Sequence, residues 1–135
     1  TLLDASRKKV SFLAVVVAKL GLKGIHQVHG RWEDFAHAPG NRMRFSLITM
    51  RAVRLEPRHL SILANHTLDD DGLFAWWAGP ESGMPAVEPS AGLTPLEPCS
   101  YTLPGIDRPR SVFIWRKADS SNTITAPKAA RSGRG

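Results

Sequence analysis

The sequence contains a single cysteine, Cys99, among its 135 residues. One thiol excludes an intramolecular disulfide and a zinc site built from several cysteines. Long apolar runs are also missing, because Lys19 interrupts the stretch "FLAVVVA" far short of the roughly 20 residues that cross a bilayer. We therefore expect no transmembrane segment and a cytoplasmic location. A secretory signal over residues 1–24, suggested by "SRKK" before the apolar stretch, is the alternative.

Several motifs of common enzyme classes are absent as well. The sequence has no G-x-S-x-G elbow, no G-x-x-x-x-G-K and no G-x-G-x-x-G. Among the five histidines, His26 and His29 are spaced so that a strand would place them on opposite faces, and the acidic run Asp69–Asp71 is typical of a solvated turn. We expect neither a cofactor nor a metal site, and catalysis is not favoured.

Charge is segregated along the chain. Residues 1–68 carry a net charge of +7, residues 69–99 carry −6 and residues 100–135 carry +5, which together make the net +6. Basic blocks of this kind favour a nucleic-acid partner. Pairing between the acidic and basic segments of the same chain is an equally good interpretation.

Hydrophobic periodicity predicts a small α+β domain over residues 1–117. Residues 6–22 favour a helix slightly, although their valine-rich centre also suits a buried strand. We further expect a strand within 42–55, a helix starting at Pro57, an apolar strand after "DDDG" and a last strand over 111–117. The strands would form a small antiparallel sheet with one or two helices. Residues 79–110 hold most of the ten prolines and predict an irregular loop, and residues 118–135 predict a disordered basic tail. An all-β, lipocalin-like partial barrel is the alternative.

Arginines alternate with apolar residues in the predicted strand "RMRFSLITMRAVRL". Arg42, Arg44 and Arg54 fall on one face at a period of two, and Arg58 follows in the next helix. Arginines bind phosphates and aromatic rings stack on bases, so these four residues and Trp77 are the predicted nucleic-acid contacts. An ordinary solvated edge strand is the other interpretation.

The segment "DGLFAWWAGPESGMPAVEPSAGLTPLEP", residues 71–98, resembles the start of GIY-YIG nuclease-superfamily domains. That resemblance implies phosphodiester cleavage with two tyrosines and a divalent metal ion. Here Phe74 stands where the first tyrosine would be, and Tyr101 with Gly105 in "CSYTLPGI" is a stretched second half-motif. Tyr101 and the Phe74 position are thus the weak catalytic candidates, and the resemblance implies a degenerate member that binds nucleic acid without cutting it.

A second segment is similar to the opening of the YceI-like lipid-binding family. The residues that carry the similarity are Ser6, Val10, Phe12, Val28, Gly30, Trp32 and Phe35. It implies a carrier of a hydrophobic, isoprenoid-like ligand. A truncated reading frame without autonomous function is a third hypothesis, supported by the proline-crowded loop. The charge layout favours the nucleic-acid-binding interpretation over both.

Overall fold

The computed structural model describes residues 1–79, 82–85 and 92–118. In these ranges the chain forms, in order, β1 (Leu2–Asp4), α1 (Arg7–Lys19), β2 (Gln27–His29), α2 (Trp32–His37), β3 (Phe45–Arg51), α3 (Pro57–Ile62), β4 (Leu68–Trp77), β5 (Leu93–Pro95), β6 (Cys99–Tyr101) and β7 (Arg110–Lys117). A 3-10 turn, Pro39–Asn41, precedes β3, and a π-helix, Leu63–Thr67, joins α3 to β4.

Two sheets are built from these strands. In the first, β1 and β2 are parallel; in the second, β3 and β4 are parallel while β5 and β6 both pair with β7, which is antiparallel to β4. The described residues thus form a mixed α/β fold and contain no closed barrel, so the lipocalin-like alternative is wrong. The expected sheet was antiparallel throughout, but α3 and the π-helix connect β3 to β4 as a crossover, which makes that pair parallel.

The helix expected near the start of the chain is confirmed as α1. Ser6 precedes it with an extended backbone, its N–H donates to Oδ1 of Asp4 at 2.7 Å, and Lys19 lies in the last turn. Gly21 then takes a φ of +62°, a conformation that glycine adopts without strain. None of the residues of α1 is buried.

The hydrophobic core lies on one face of the second sheet. Phe74 of β4 stacks on Trp115 of β7 with ring centroids 5.4 Å apart, and both side chains are 0% exposed. Leu60 of α3 and Leu63 of the π-helix are buried against the same face. Burying these large apolar side chains is the main stabilising contribution of this half of the molecule.

The acidic run before the apolar stretch lies inside β4 as a bulge. Phe45 pairs with Leu68 but Leu47 pairs with Leu73, so β4 advances five residues where β3 advances two. Asp71 has a φ of +62° there, and the solvated turn expected for residues 69–71 is instead an irregular part of the strand. The ammonium of Lys117, a buried residue, donates to the Leu68 carbonyl at 2.8 Å and holds the start of the bulge against β7.

The proline-rich segment is only partly irregular, because β5 and β6 pair with β7 within it. Of the disordered tail expected over 118–135, residues 119–135 lie outside the described residues. Across the described ranges, no helix is both long and apolar enough to span a membrane.

Candidate functional site

The carboxyl ends of β3 and β4 lie side by side. The two strands are parallel, and their last residues, Arg51 and Trp77, are partners in the register. In open α/β sheets the crevice outside the carboxyl ends of parallel strands is where ligands bind. This edge of the second sheet is therefore a candidate ligand-binding site.

The loop that follows β3 is held in an unusual backbone conformation. Ala52 has a φ of +56°, which costs free energy for a residue with a Cβ atom. The buried Trp76 holds the next residue in place, because its indole N–H donates to the Val53 carbonyl at 3.0 Å. A surface pocket of about 500 Å³ opens here, lined by residues 52–55, Trp76, Trp77, Gly79, Ser82, Gly83 and Pro85.

Arg54 lines this pocket, and two further arginines lie within four residues of it in the sequence. Arg51, Arg54 and Arg58 are exposed, and Glu56 forms an ion pair with Arg58 at 3.0 Å. Trp77 is half-buried and presents part of its ring to the pocket. Guanidinium groups beside an accessible aromatic ring provide both phosphate contacts and a stacking surface for a base.

The structure divides the four predicted arginines between two places. Arg42 and Arg44 precede β3, whereas Arg54 and Arg58 follow it. A seven-residue strand separates the two pairs by roughly 20 Å, at about 3.3 Å per residue. Arg54 and Trp77 line the same pocket, whereas Arg58 lies in the first turn of α3. The binding of these residues to nucleic acid remains a prediction.

The weak catalytic candidates are not brought into a site. Phe74 is fully buried beneath Trp115, and it has no group that takes part in acid–base chemistry. Tyr101 is half-buried in β6, where it pairs with Arg110. Within the part of the chain that the structure describes, no three His, Cys, Asp or Glu residues are grouped so as to hold a metal ion.

Sequence reasoning missed a groove between β1 and β3 and the acidic residue beside it. The groove has a volume of about 280 Å³, and α2 and the π-helix contribute to its lining. Asp4 ends β1 at this groove, with Oδ2 at 3.6 Å from Nζ of Lys9. A strand of three residues is too short to show alternation. The segment "LLDAS" nevertheless has an acidic residue between two leucines and the start of a helix, and this pattern could have indicated a candidate site residue.

The fold is similar to that of a solved structure. The structure is similar to a putative methyltransferase, yhhF, from Escherichia coli, with a TM-score of 0.65 and 14% sequence identity over 87% of this chain and 64% of that one. At that identity the likeness shows the fold alone, a Rossmann-like methyltransferase fold.

The sequence comparisons show the family. Residues 1–86 match the family model GidB, rRNA small subunit methyltransferase G. The chain is 46% identical over 118 residues to ribosomal RNA small subunit methyltransferase G 1 of Syntrophobacter fumaroxidans, covering 85% of this chain and 54% of the relative. It is 30% identical over 130 residues to the Lactobacillus helveticus protein, covering 90% and 52%. The chain belongs to the GidB family, and it spans about half the length of these curated relatives.

Family membership corrects both resemblances drawn from short segments. The GIY-YIG hypothesis and the YceI-like hypothesis are wrong, as are the degenerate-nuclease and lipid-carrier functions that they implied. The stretch "GLFAWW" misled because short apolar runs of this kind are common in buried strands. The nuclease interpretation did not predict that β4, which contains this stretch, is parallel to β3.

Proposed function

We propose that this chain takes part in methyl transfer to ribosomal RNA of the small subunit. Its membership of the GidB family supports the reaction class, and the open carboxyl ends of β3 and β4 support the place where RNA is held. The expected cytoplasmic location agrees with such a substrate. The expectation that the protein has no cofactor does not agree with this reaction, because methyl transfer needs a methyl donor.

Methyl transfer requires a methyl donor, and S-adenosylmethionine supplies the methyl group from a positively charged sulfur. The residues of this chain fit one part of that molecule. Asp4 offers a partly exposed carboxylate at the carboxyl end of a parallel strand, the position from which an acidic residue accepts hydrogen bonds from ribose hydroxyls. Ser6 N–H and Lys9 orient this carboxylate, so it is held in place before any ligand binds.

RNA is proposed to bind at the other sheet, along the edge formed by Arg54, Arg58 and Trp77. The pocket beyond β3 and β4 supports this assignment, because Arg54 and Trp77 both line it and place an exposed guanidinium group beside an accessible indole ring. The arginines would contact phosphates and Trp77 would stack on an unpaired base. The strained Ala52 and the bond from Trp76 to Val53 fix the loop that carries Arg54.

The test is RNA binding across a salt series. Fragments of small-subunit ribosomal RNA are titrated with the chain and with a variant carrying Arg54→Ala and Arg58→Ala. Each phosphate contact that is lost should lower the slope of log K against log salt by about one and weaken binding at low salt. Trp77→Ala should weaken binding with little change in that slope, because stacking involves no counterion release.

Arg7→Ala is the matched control, since Arg7 is equally exposed but lies at the start of α1. Its binding curve should overlay that of the unchanged chain. If Arg42→Ala with Arg44→Ala weakens binding as much as the Arg54 and Arg58 pair, the RNA follows the length of β3 and the assignment to its carboxyl end is wrong.

A further inference from the structure

Two histidine side chains meet between α2 and the π-helix. The centre of the His37 ring, at the end of α2, lies 4.7 Å from the centre of the His66 ring, and the two ring planes are inclined at 46°. His37 is exposed and His66 is half-buried, so ions in solution can reach the pair. The two residues are far apart in the sequence, and only the fold brings their rings together.

This histidine pair lies at the opposite end of the second sheet from the proposed RNA edge. The main-chain N–H of Met43, just before β3, donates to the carbonyl of His66 at 3.0 Å. Strand β4 begins two residues after His66, at Leu68. The pair is therefore beside the amino ends of β3 and β4, whereas the pocket proposed for RNA lies beyond their carboxyl ends.

The His37 ring is held in a form that can bind a metal ion. Its Nδ1 lies 2.7 Å from the carbonyl oxygen of Glu33. Because a carbonyl oxygen only accepts, Nδ1 carries the proton, and the neutral ring keeps a lone pair on Nε2. Metal-binding histidines commonly donate their other ring N–H to a backbone carbonyl, which fixes the orientation of the ring. The ring of His66 makes no hydrogen bond among the described residues, so its nitrogens are available as well.

The separation of the two rings suits one shared ion. An imidazole nitrogen binds such an ion at about 2.0–2.1 Å, which places the ring centre roughly 3.2 Å from the metal. Two imidazoles bound at an angle of about 90–110° then have their ring centres roughly 4.5–5.2 Å apart. The observed 4.7 Å falls within this range. Imidazole is a ligand for Ni²⁺, Cu²⁺ and Zn²⁺, whereas Mg²⁺ and Ca²⁺ take oxygen ligands.

Two uncommon backbone features hold His66 in place. It lies in a π-helix, a rare form that is frequent at functional sites. Met43, whose N–H donates to the His66 carbonyl, has a φ of +46°, which costs free energy for a residue with a Cβ atom. Such conformations persist where the surrounding structure determines them, and they cluster at ligand sites. Both features favour a function for the histidine pair over a chance contact of two surface rings.

We propose that His37 and His66 bind one divalent transition-metal ion of the class of Ni²⁺, Cu²⁺ and Zn²⁺. Nε2 of His37 and one ring nitrogen of His66 are the protein ligands, and water fills the remaining positions. The bound ion links α2 to the π-helix and thereby joins the segments that lead into β3 and β4. Because only two ligands come from the protein, the ion exchanges with solution, unlike the ion of a closed structural site.

The test is isothermal titration of the metal-free full chain, prepared without a histidine tag, with NiCl₂. One ion should bind per chain, and MgCl₂ should give no binding heat. His37→Ala and His66→Ala should each weaken Ni²⁺ binding at least tenfold. The matched control is His26→Ala, an exposed histidine before β2, which should change the affinity less than twofold. Absence of binding, an equal loss in all three variants, or a loss in only one of the first two would overturn the proposal.

His66→Gln guards against a loss that comes from unfolding. Glutamine keeps a polar side chain of similar size but has no imidazole, so this variant should lose Ni²⁺ binding as fully as His66→Ala. Its urea unfolding without metal should match that of the unchanged chain. Retention of Ni²⁺ binding by a folded His66→Gln variant would show that His66 is not a ligand.

Amide hydrogen exchange of the unchanged chain locates the bound ion independently. NiCl₂ should slow exchange at least threefold in the π-helix and at the end of α2, and it should leave α1 unchanged. Slower exchange in α1 alone, or in none of these elements, would show that the ion does not bind at the histidine pair. Neither readout involves RNA or methyl transfer, so the result is independent of the proposed function.

Discussion

At the scale of single residues, Trp115 is the largest of the fully buried side chains, and it also buries a polar group. The side chain is 0% exposed and packs on Phe74 and Phe113. Its indole nitrogen finds no hydrogen-bond partner among the described residues. Burying an N–H group without a partner costs about 1–3 kcal/mol, so the apolar contacts of the ring must exceed that cost.

Two substitutions separate the packing of Trp115 from its polar cost. Trp115→Ala should lower the free energy of unfolding by about 3–5 kcal/mol, because it leaves a large cavity. Trp115→Phe should cost less than half as much, since the ring contacts are kept in part and the N–H group is removed. Urea unfolding followed by circular dichroism measures both.

Arg116→Ala serves as the control, because its side chain is exposed on the next position of the same strand. Its effect should stay within about 0.5 kcal/mol. If Trp115→Phe proves as costly as Trp115→Ala, the indole N–H donates a hydrogen bond in solution and the assignment of a polar cost is incorrect.

At the scale of elements, β7 and the apolar half of β4 were predictable from their composition and alternation, whereas α1 was favoured only slightly over a strand. The limits of β3 were not. The predicted strand covered 42–55, but the observed one is Phe45–Arg51. Met43 and Ala52 have positive φ angles just outside its two ends. Residues with a Cβ rarely adopt that conformation, so no propensity marks them, and the arginine pairs were consequently placed on one face.

Ala52→Gly tests the strain at the carboxyl end of β3. Glycine adopts a φ of +56° without steric cost, so the change should raise the free energy of unfolding by up to about 1 kcal/mol. Chemical denaturation with unchanged m-value would record it. Ala38→Gly is the comparison, because Ala38 has an ordinary φ of −65°, and it should lower stability. Stabilisation by both changes, or by neither, would argue against strain at Ala52.

Some residues of the candidate site could be selected from the sequence, and their role in binding stays a prediction. Arg54, Arg58 and Trp77 were selected from charge and aromatic chemistry, and Arg54 and Trp77 line one pocket. Asp4 was not selected, because its position at the end of a parallel strand depends on the pairing of Leu2–Asp4 with Gln27–His29. These two segments are far apart in the sequence. Pairing of such short strands leaves no periodic signal.

At the scale of the whole molecule, stability is unevenly distributed. The buried cluster runs from Met50 to Trp115 and draws on the second sheet, α3 and the π-helix, while α1 contributes no buried residue. Regions with few buried apolar contacts open at lower free energy than the core. The first sheet with α1 is therefore expected to open independently of the second.

Native-state hydrogen exchange of the chain alone should reveal this difference. Amides of α1 and β2 should exchange at least tenfold faster than those in the centres of β4 and β7, because the latter open only with the core. Low denaturant should accelerate the core amides steeply and the α1 amides little. Equal protection of both regions would show that the two sheets already unfold as one unit.

The composition of the whole chain did not indicate the reaction after which the family is named. The basic blocks favoured a nucleic-acid partner, which agrees with the description of the family model as an rRNA methyltransferase, but short apolar motifs pointed to the wrong superfamilies. Strand order, which distinguishes a doubly wound sheet from a nuclease sheet, depends on contacts across the whole chain.

The bulge in β4 separates the pairing on its two sides. Five residues of β4 stand opposite two of β3, and the regular pairs that follow still place Phe74 and Trp76 in the core. A bulge that accommodates this odd difference in length can become one residue shorter or longer while residues 73–77 keep their partners in β3. The acidic run is thus a place where the length of the chain can change without turning the aromatic rings of β4 away from the core.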